Sequence, residues 1–321
     1  MSPKYSFVLP AYKATYLHEA IDSILNQTYK DFELIVVNDA SPEDLTTIVN
    51  SYHDERIQYY INEKNIGGTD LVAQWNHCIT YATGEYLILA SDDDVYHPNY
   101  LERMDVLVNK YPEVNIFRPR VQLVNSCGDV IERLECLEGK GEIIPQPIFA
   151  NLIYNRQLIN GIPFYIFKRQ SLKDLGGFID FPLAWFSDDA TAIQMAKNGI
   201  AILDEVLFFF RQSDLSISCS LNSPSALYGK LQATESFYRW FETLLDSMNV
   251  MDAEDLPLSE DLQNSKLNHM VWLITMSDRK AVLSSWRIIR KIRTLSLHDC
   301  IIICKEVFMR KLFNKLSKKS S

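Results

Sequence analysis

The sequence contains no GxGxxG, no GxxxxGK[ST] and no CxxC. The first two absences exclude the usual dinucleotide and P-loop phosphate cradles, and the third excludes a cysteine-clamped zinc site. Six cysteines, at 78, 127, 136, 219, 300 and 304, form no even framework and read as reduced thiols in a cytosolic chain. No apolar run nears the length of a membrane span. Met-Ser-Pro-Lys-Tyr runs straight into a strand, so no signal peptide is expected. The six histidines, at 18, 53, 77, 97, 269 and 298, lack metal-ligand spacing. Residues 225–321 hold almost no glycine and no strand pattern, and read as helices.

What is present is acid, unevenly placed. The net charge is −9, but residues 279–321 carry twelve Lys/Arg against two acids. The body before them is therefore at −19, which argues against a nucleic-acid-binding body. The basic end, with Trp286-Arg-Ile-Ile-Arg-Lys-Ile-Arg293 and then residues 301–313, admits two readings. One is a helix attached to a membrane surface; the other is a solvated helix whose apolar face packs on the protein.

Residues 5–111 alternate strand and helix. Tyr5-Ser-Phe-Val-Leu9 is a strand expected to stop at Pro10. Leu17, Ala20, Ile21, Ile24 and Leu25 fall on one helix face. Phe32-Glu-Leu-Ile-Val-Val37 is a second strand, ending at Asn38-Asp39. Ser41-Pro42 predicts a capped helix start. Ile57-Gln-Tyr-Tyr-Ile61 and Glu85-Tyr-Leu-Ile-Leu-Ala90 are further strands, separated by a helix over 69–83, and Pro98 opens another helix. This order predicts a largely parallel sheet, with ligands at the strand carboxyl ends. Farther on, 162–167, 200–203 and 206–210 read as strands, and Gly199 as a helix stop. A domain boundary is expected after residue 222, giving a sheet domain over 1–222 and a helical region over 223–321.

Three polar clusters fall at strand ends: Pro10-Ala11-Tyr12, Asn38-Asp39 and Ser91-Asp92-Asp93-Asp94. Adjacent carboxylates raise each other's pKa unless a cation relieves them. They suit a hard divalent metal, or simply a solvated acidic turn.

Ser6-Phe-Val-Leu-Pro-Ala-Tyr12 and Ile24-Leu-Asn-Gln-Thr-Tyr-Lys-Asp-Phe-Glu-Leu-Ile-Val-Val-Asn-Asp39 resemble the opening of family 2 glycosyltransferases. So do Tyr81-Ala-Thr-Gly-Glu-Tyr86, the acid cluster with Pro98 beyond it, Gly176-Gly-Phe178, and Ser187-Asp-Asp189 before a helix. The likeness covers roughly residues 4–218. It implies the GT-A fold, an open, twisted, mostly parallel α/β sheet flanked by helices, and a nucleotide-diphosphate sugar as donor, UDP-sugar favoured. By the family's motifs, Asp39 holds the base or ribose, and Pro10, Ala11 and Tyr12 line the nucleotide. Asp93 binds Mn2+ or Mg2+, Asp92 lies towards the ribose, and Asp94 is the second acid of the metal pair. Asp188 and Asp189 match the acidic catalytic pair, with Asp189 as general base. The plainer reading of each is local: a turn residue at Asp39, or carboxylates favoured by a helix dipole at Asp188 and Asp189.

Two departures stand out. Trp75-Asn76 replaces the family's Arg-Asn, leaving Lys64 or Lys13 as substitute cations. Arg211-Gln212-Ser213 replaces Arg-x-His; Arg211 is then a diphosphate contact or a structural salt bridge. The resemblance implies an inverting, metal-dependent transferase acting on a saccharide or lipid-linked acceptor in surface-polysaccharide assembly. It would work in the cytoplasm or at the inner face of the membrane, with no nucleic acid partner and a homo-oligomer left open. A silent nucleotide-sugar or carbohydrate-binding module is the alternative. A nucleotidyltransferase would require a basic, Gly-rich phosphate loop that the sequence lacks.

Overall fold

The computed structural model describes residues 2–131, 142–212, 223–248, 259–277, 287, 289–292 and 295–317, with the backbone alone at 259, 260 and 311–317. Contacts divide the chain into two units, residues 1–180 with 187–213, and residues 181–186 with 214–321. The boundary expected after residue 222 adjoins 213–222, which lie outside the described residues.

The first unit is built on one sheet. Its strands are β1 (Tyr5–Ala11), β2 (Phe32–Asn38), β3 (Ile57–Ile61), β4 (Tyr86–Leu89), β5 (Val95–Tyr96), β6 (Ile116–Val124), β7 (Val130–Ile131), β8 (Ile143–Ile144), β9 (Ile166–Lys168) and β10 (Ile200–Arg211). The order is β3-β2-β1-β4-β9-β6-β10-β5, with β7 on β6 and β8 on β10. The β3-β2-β1-β4 half is parallel, as is β6 against β10, while β9 runs antiparallel between β4 and β6. All seven residues of β2 are buried, as its β-branched run demands.

The flanking helices are α1 (Leu17–Leu25), α2 (Leu45–Asn50), α3 (Leu71–Cys78), α4 (Tyr100–Lys110), α5 (Gln146–Tyr154), α6 (Arg169–Asp174) and α7 (Ser187–Met195). α1 buries Leu17, Ala20, Ile21 and Ile24, the face its spacing predicts. Gln27, fully buried, accepts from Leu101 N at 2.8 Å and donates to His97 O at 2.8 Å, tying the end of α1 to the start of α4.

Several boundaries differ from the sequence expectation. β1 runs through Pro10 to Ala11. β4 pairs with β1 only as far as Val8, so the missing Pro10 N–H falls where β1 has already lost that neighbour. α2 is capped by Asp44, not Ser41; Ser41 instead donates its hydroxyl to Tyr12 O at 2.6 Å. Residues 162–164 form a 3₁₀ turn, leaving only Ile166–Lys168 as strand. The two strands expected at 200–203 and 206–210 are one, β10, with register shifts between Leu203 and Val206. Gly199, at φ +86°, ends the preceding turn as expected.

The second unit contains α8 (Pro224–Ser247), α9 (Ser259–Met276) and α10 (Leu297–Ser317). Ser223 caps α8 by accepting from Ala226 N. Leu227, Leu231, Met270, Ile274, Ile303 and Val307 belong to its core. Phe186 stacks on Phe237 with ring centroids 4.4 Å apart. Part of the helix expected over 286–293 lies outside the described residues.

Candidate active site

Between β1 and β4 the chain order reverses, the place where open α/β sheets leave a crevice at their strand ends. The segment after β4 crosses to the end of β1 there. Asp92 Oδ2 accepts from Tyr12 N at 2.8 Å and Lys13 N at 2.9 Å. Pro10 is half-buried, Ala11 is fully buried and Tyr12 is 39% exposed, so the tyrosine ring is the open surface of this edge. Burial pushes the Asp92 carboxyl up, against the pull of those two amides.

The three acids have different surroundings. Asp94 is completely buried. Its Oδ1 accepts from Arg211 N at 2.8 Å and its Oδ2 from Ser91 Oγ at 2.9 Å. Burial, and next the Asp93 charge, raise it well above the carboxylate range. Asp93 is half-buried, and its Oδ1 accepts from Ser91 Oγ at 3.0 Å. Burial raises its carboxyl too, with Lys13 and Arg211 pulling the other way. Hard carboxylate oxygens destabilised by burial, with Asp93 partly open, fit a divalent cation. Among the described residues no three His, Cys, Asp or Glu side chains converge as a ready-made metal site.

Arg211 is 2% exposed and fully engaged. Its Nε donates to Asp93 O at 2.8 Å, one terminal nitrogen to Ser126 O at 3.2 Å, and the other to Glu19 Oε2 at 2.6 Å. Its guanidinium lies 4.3 Å from the Tyr16 ring centroid. These contacts tie the acid turn, Ser126 and α1 together. Ser213 lies outside the described residues.

Asp39 follows β2 and is 4% exposed. Its Oδ1 accepts from Asn62 Nδ2 and Ile66 N, both at 2.8 Å, and its Oδ2 from Gly67 N at 2.7 Å. The carboxylate thus organises the 62–67 loop. Trp75 and Asn76 serve the 176–178 turn. Asn76 Oδ1 accepts from Phe178 N at 2.8 Å, and Trp75 packs edge-on against Phe178. Gly177 has φ +97°, and a Cβ there would lie 2.3 Å from Asn76 Oδ1. Glycine is required twice over.

The second acidic station opens α7. Leu183, Ala184 and Phe186, just before it in sequence, all have positive φ. Asp189 is 3% exposed. Its Oδ1 accepts from Asn160 Nδ2 at 2.6 Å, and its Oδ2 pairs with Arg156 at 3.2 Å. Burial raises its carboxyl, and Arg156 and Asn160 oppose the rise. Asp188 is less buried by solvent exposure, yet closely surrounded by protein. Desolvation and then the Asp189 charge push it up to about 7. Behind the pair, Tyr165 donates its hydroxyl to Asn160 Oδ1, and the buried Arg118 guanidinium sits 5.6 Å from the Tyr165 ring centroid.

The 160–165 segment links the two stations. Tyr96, two residues after Asp94, donates its hydroxyl to Pro163 O at 3.2 Å, while Asn160 holds Asp189. Asn160, Arg156 and Tyr165 escaped the sequence reading, because nothing local distinguishes them from loop and core residues.

The glycosyl transferase family 2 profile matches residues 6–176, and the chain belongs to that family. Among curated relatives, a glycosyltransferase of Rickettsia prowazekii (strain Madrid E) is 44% identical over 186 residues, which are 54% of each chain. The chain spans about half the length of such relatives. Among solved structures, S. aureus TarS 1-349 in complex with UDP-GlcNAc aligns with TM-score 0.60 at 17% identity, over 95% of this chain and 92% of that one. The mannosyltransferase PcManGT from Pyrobaculum calidifontis, in complex with GDP-Man and Mn2+, aligns with TM-score 0.53 at 16% identity, over 98% and 88%. At such identities the likeness is one of fold: the GT-A sheet flanked by helices.

Proposed function

We propose that this chain transfers a sugar from a nucleotide-diphosphate donor to a saccharide or lipid-linked acceptor hydroxyl, with inversion. The observation that carries the reading is the pair of acidic stations, one at the sheet's switch point and one at the start of α7, linked by residues 160–165. A UDP-sugar is the favoured donor; TarS with UDP-GlcNAc and PcManGT with GDP-Man and Mn2+ support a nucleotide sugar of this class.

The nucleotide lies along the edge of Ala11 and Tyr12, with the base or ribose towards the loop that Asp39 organises. Asp93 would hold manganese or magnesium, with Asp92 towards the ribose and the rest of the coordination coming from phosphate oxygens and water. When bound, the cation neutralises charge on the departing nucleoside diphosphate. Asp94, expected as the second acid of the metal pair, is buried and bonded to Arg211 N, so in this reading it and Arg211 position the acid turn from within. Asp189 takes the acceptor proton as general base, its orientation fixed by Asn160, and the half-exposed Arg156 yields its place to the acceptor. Asp188 tunes the pair. The acceptor oxygen attacks the anomeric carbon as the bond to diphosphate breaks on the opposite side. The setting is surface-polysaccharide assembly.

One observation favours a second reading, a module that binds nucleotide sugar without turnover: both oxygens of Asp189 are engaged. Calorimetry with UDP- and GDP-sugars, with and without manganese, separates the two. The transferase requires metal-dependent binding and slow release of nucleoside diphosphate. Tight binding with no turnover, even with acceptor extracts, supports the module, and equal binding in EDTA removes the metal assignment.

A further inference from the structure

α10 has two apolar faces. One is buried: Cys300, Ile303 and Val307 join the core of the second unit. The other is open: Leu297 is 64% exposed, Ile301 53% and Phe308 67%. At about 100° per residue these three lie within roughly 40° of one another on the helix. Scattered exposed apolar residues need no explanation, but a stripe along one helix does. Lys305 and Arg310 are exposed on the same helix, and Lys311 and Lys315 follow in sequence. Together they belong to the basic segment at +10 that ends an otherwise acidic chain.

We propose that α10 lies flat on an anionic membrane surface, with Leu297, Ile301 and Phe308 entering the headgroup boundary and Lys305, roughly 60° from the middle of the stripe, facing the lipid charge. The physical basis is a narrow apolar stripe with Lys305 at its flank, within a segment that carries +10, which suits the interface and not the bilayer core. Among the described residues no helix is long and apolar enough to cross a membrane. A second copy is a poorer occupant. A two-fold contact through the same stripe would bring two segments of +10 together. The inference does not depend on the transferase reading; it places an enzyme of this family where lipid-linked acceptors reside.

The test is co-sedimentation of the full chain with vesicles of phosphatidylcholine alone or with about one third phosphatidylglycerol. Binding is expected on the anionic vesicles and should weaken as salt is raised. Ile301→Glu with Phe308→Glu should lower partitioning about tenfold or more, with an unchanged circular dichroism spectrum, since both positions are exposed. Lys305→Glu should weaken the preference for anionic lipid, whereas Arg310→Glu, on the far side of the helix from the stripe, should change it less. No binding of the wild type to anionic vesicles overturns the proposal, as does equal binding of the wild type and the apolar double variant. A dimer that Phe308→Glu dissociates, with no lipid binding, assigns the stripe to a second copy and also overturns it.

Discussion

Replacing Arg211 with methionine keeps most of the apolar stem and removes the guanidinium. That side chain is 3% exposed and donates to Asp93 O, Ser126 O and Glu19. The Glu19 pair contributes little, because the carboxylate is 52% exposed and screened by water. The two carbonyls lose a charged donor, at about 1–3 kcal/mol each where they stay dry, and the Tyr16 ring loses about 0.5–1 kcal/mol of cation–π contact. The net expectation is a loss of about 3 kcal/mol, or roughly 6–12 °C in the melting of a unit this size. Arg211 also helps keep Asp93 ionised, so metal affinity should fall as well. Thermal melting and manganese titration of Arg211→Met read both effects. A variant as stable as the wild type that has lost donor binding would refute the reasoning and make Arg211 a diphosphate contact.

Gly177→Ala should cost about 2 kcal/mol or more, from its positive φ and the 2.3 Å approach to Asn76 Oδ1, as measured by urea unfolding. Asn76→Ala should partly rescue it by removing the clash. Asp188 is raised to about 7, against about 3.9 for a free aspartate, so the folded state holds its proton more tightly. Its contribution to stability is whole below about pH 4 and lost as pH rises through about 7. Asp188→Asn should therefore gain stability relative to the wild type between pH 5 and pH 8; an identical difference at both pH values would contradict the shift. Asp39→Ala should loosen the 62–67 loop, with faster hydrogen exchange at the Ile66 and Gly67 amides.

The parallel strands and α1 were legible because their signals are local: buried β-branched runs, and apolar residues at helical spacing. The misread positions are those where a distant partner overrides local preference. Ser41 looks like a helix cap, but its hydroxyl goes to Tyr12 O, and Asp44 caps instead. Pro10 looks like a strand end, but the strand beside it stops first. The acid clusters were visible as clusters because charge at a strand end is unusual. What each carboxylate bonds was not, since the partners lie far along the chain: Asp94 with Arg211, Asp189 with Asn160, Asp92 with Tyr12. Ser6, Glu33, Thr83 and Gly84 show the same limit. Ser6 donates to Glu33 at 2.6 Å and accepts from Gly84 N at 2.8 Å, a buried network that accounts for the Thr83-Gly84 pair.

The most direct test of the central claim is nucleoside diphosphate release in the presence of manganese and acceptor, compared between the wild type and Asp189→Asn. With a donor that the calorimetric screen identifies, Asp189→Asn should bind it within about threefold of wild-type affinity while turnover falls by about 10²–10⁴-fold. Undiminished turnover in Asp189→Asn, or loss of donor binding along with it, would contradict the assignment of Asp189 as the base that activates the acceptor.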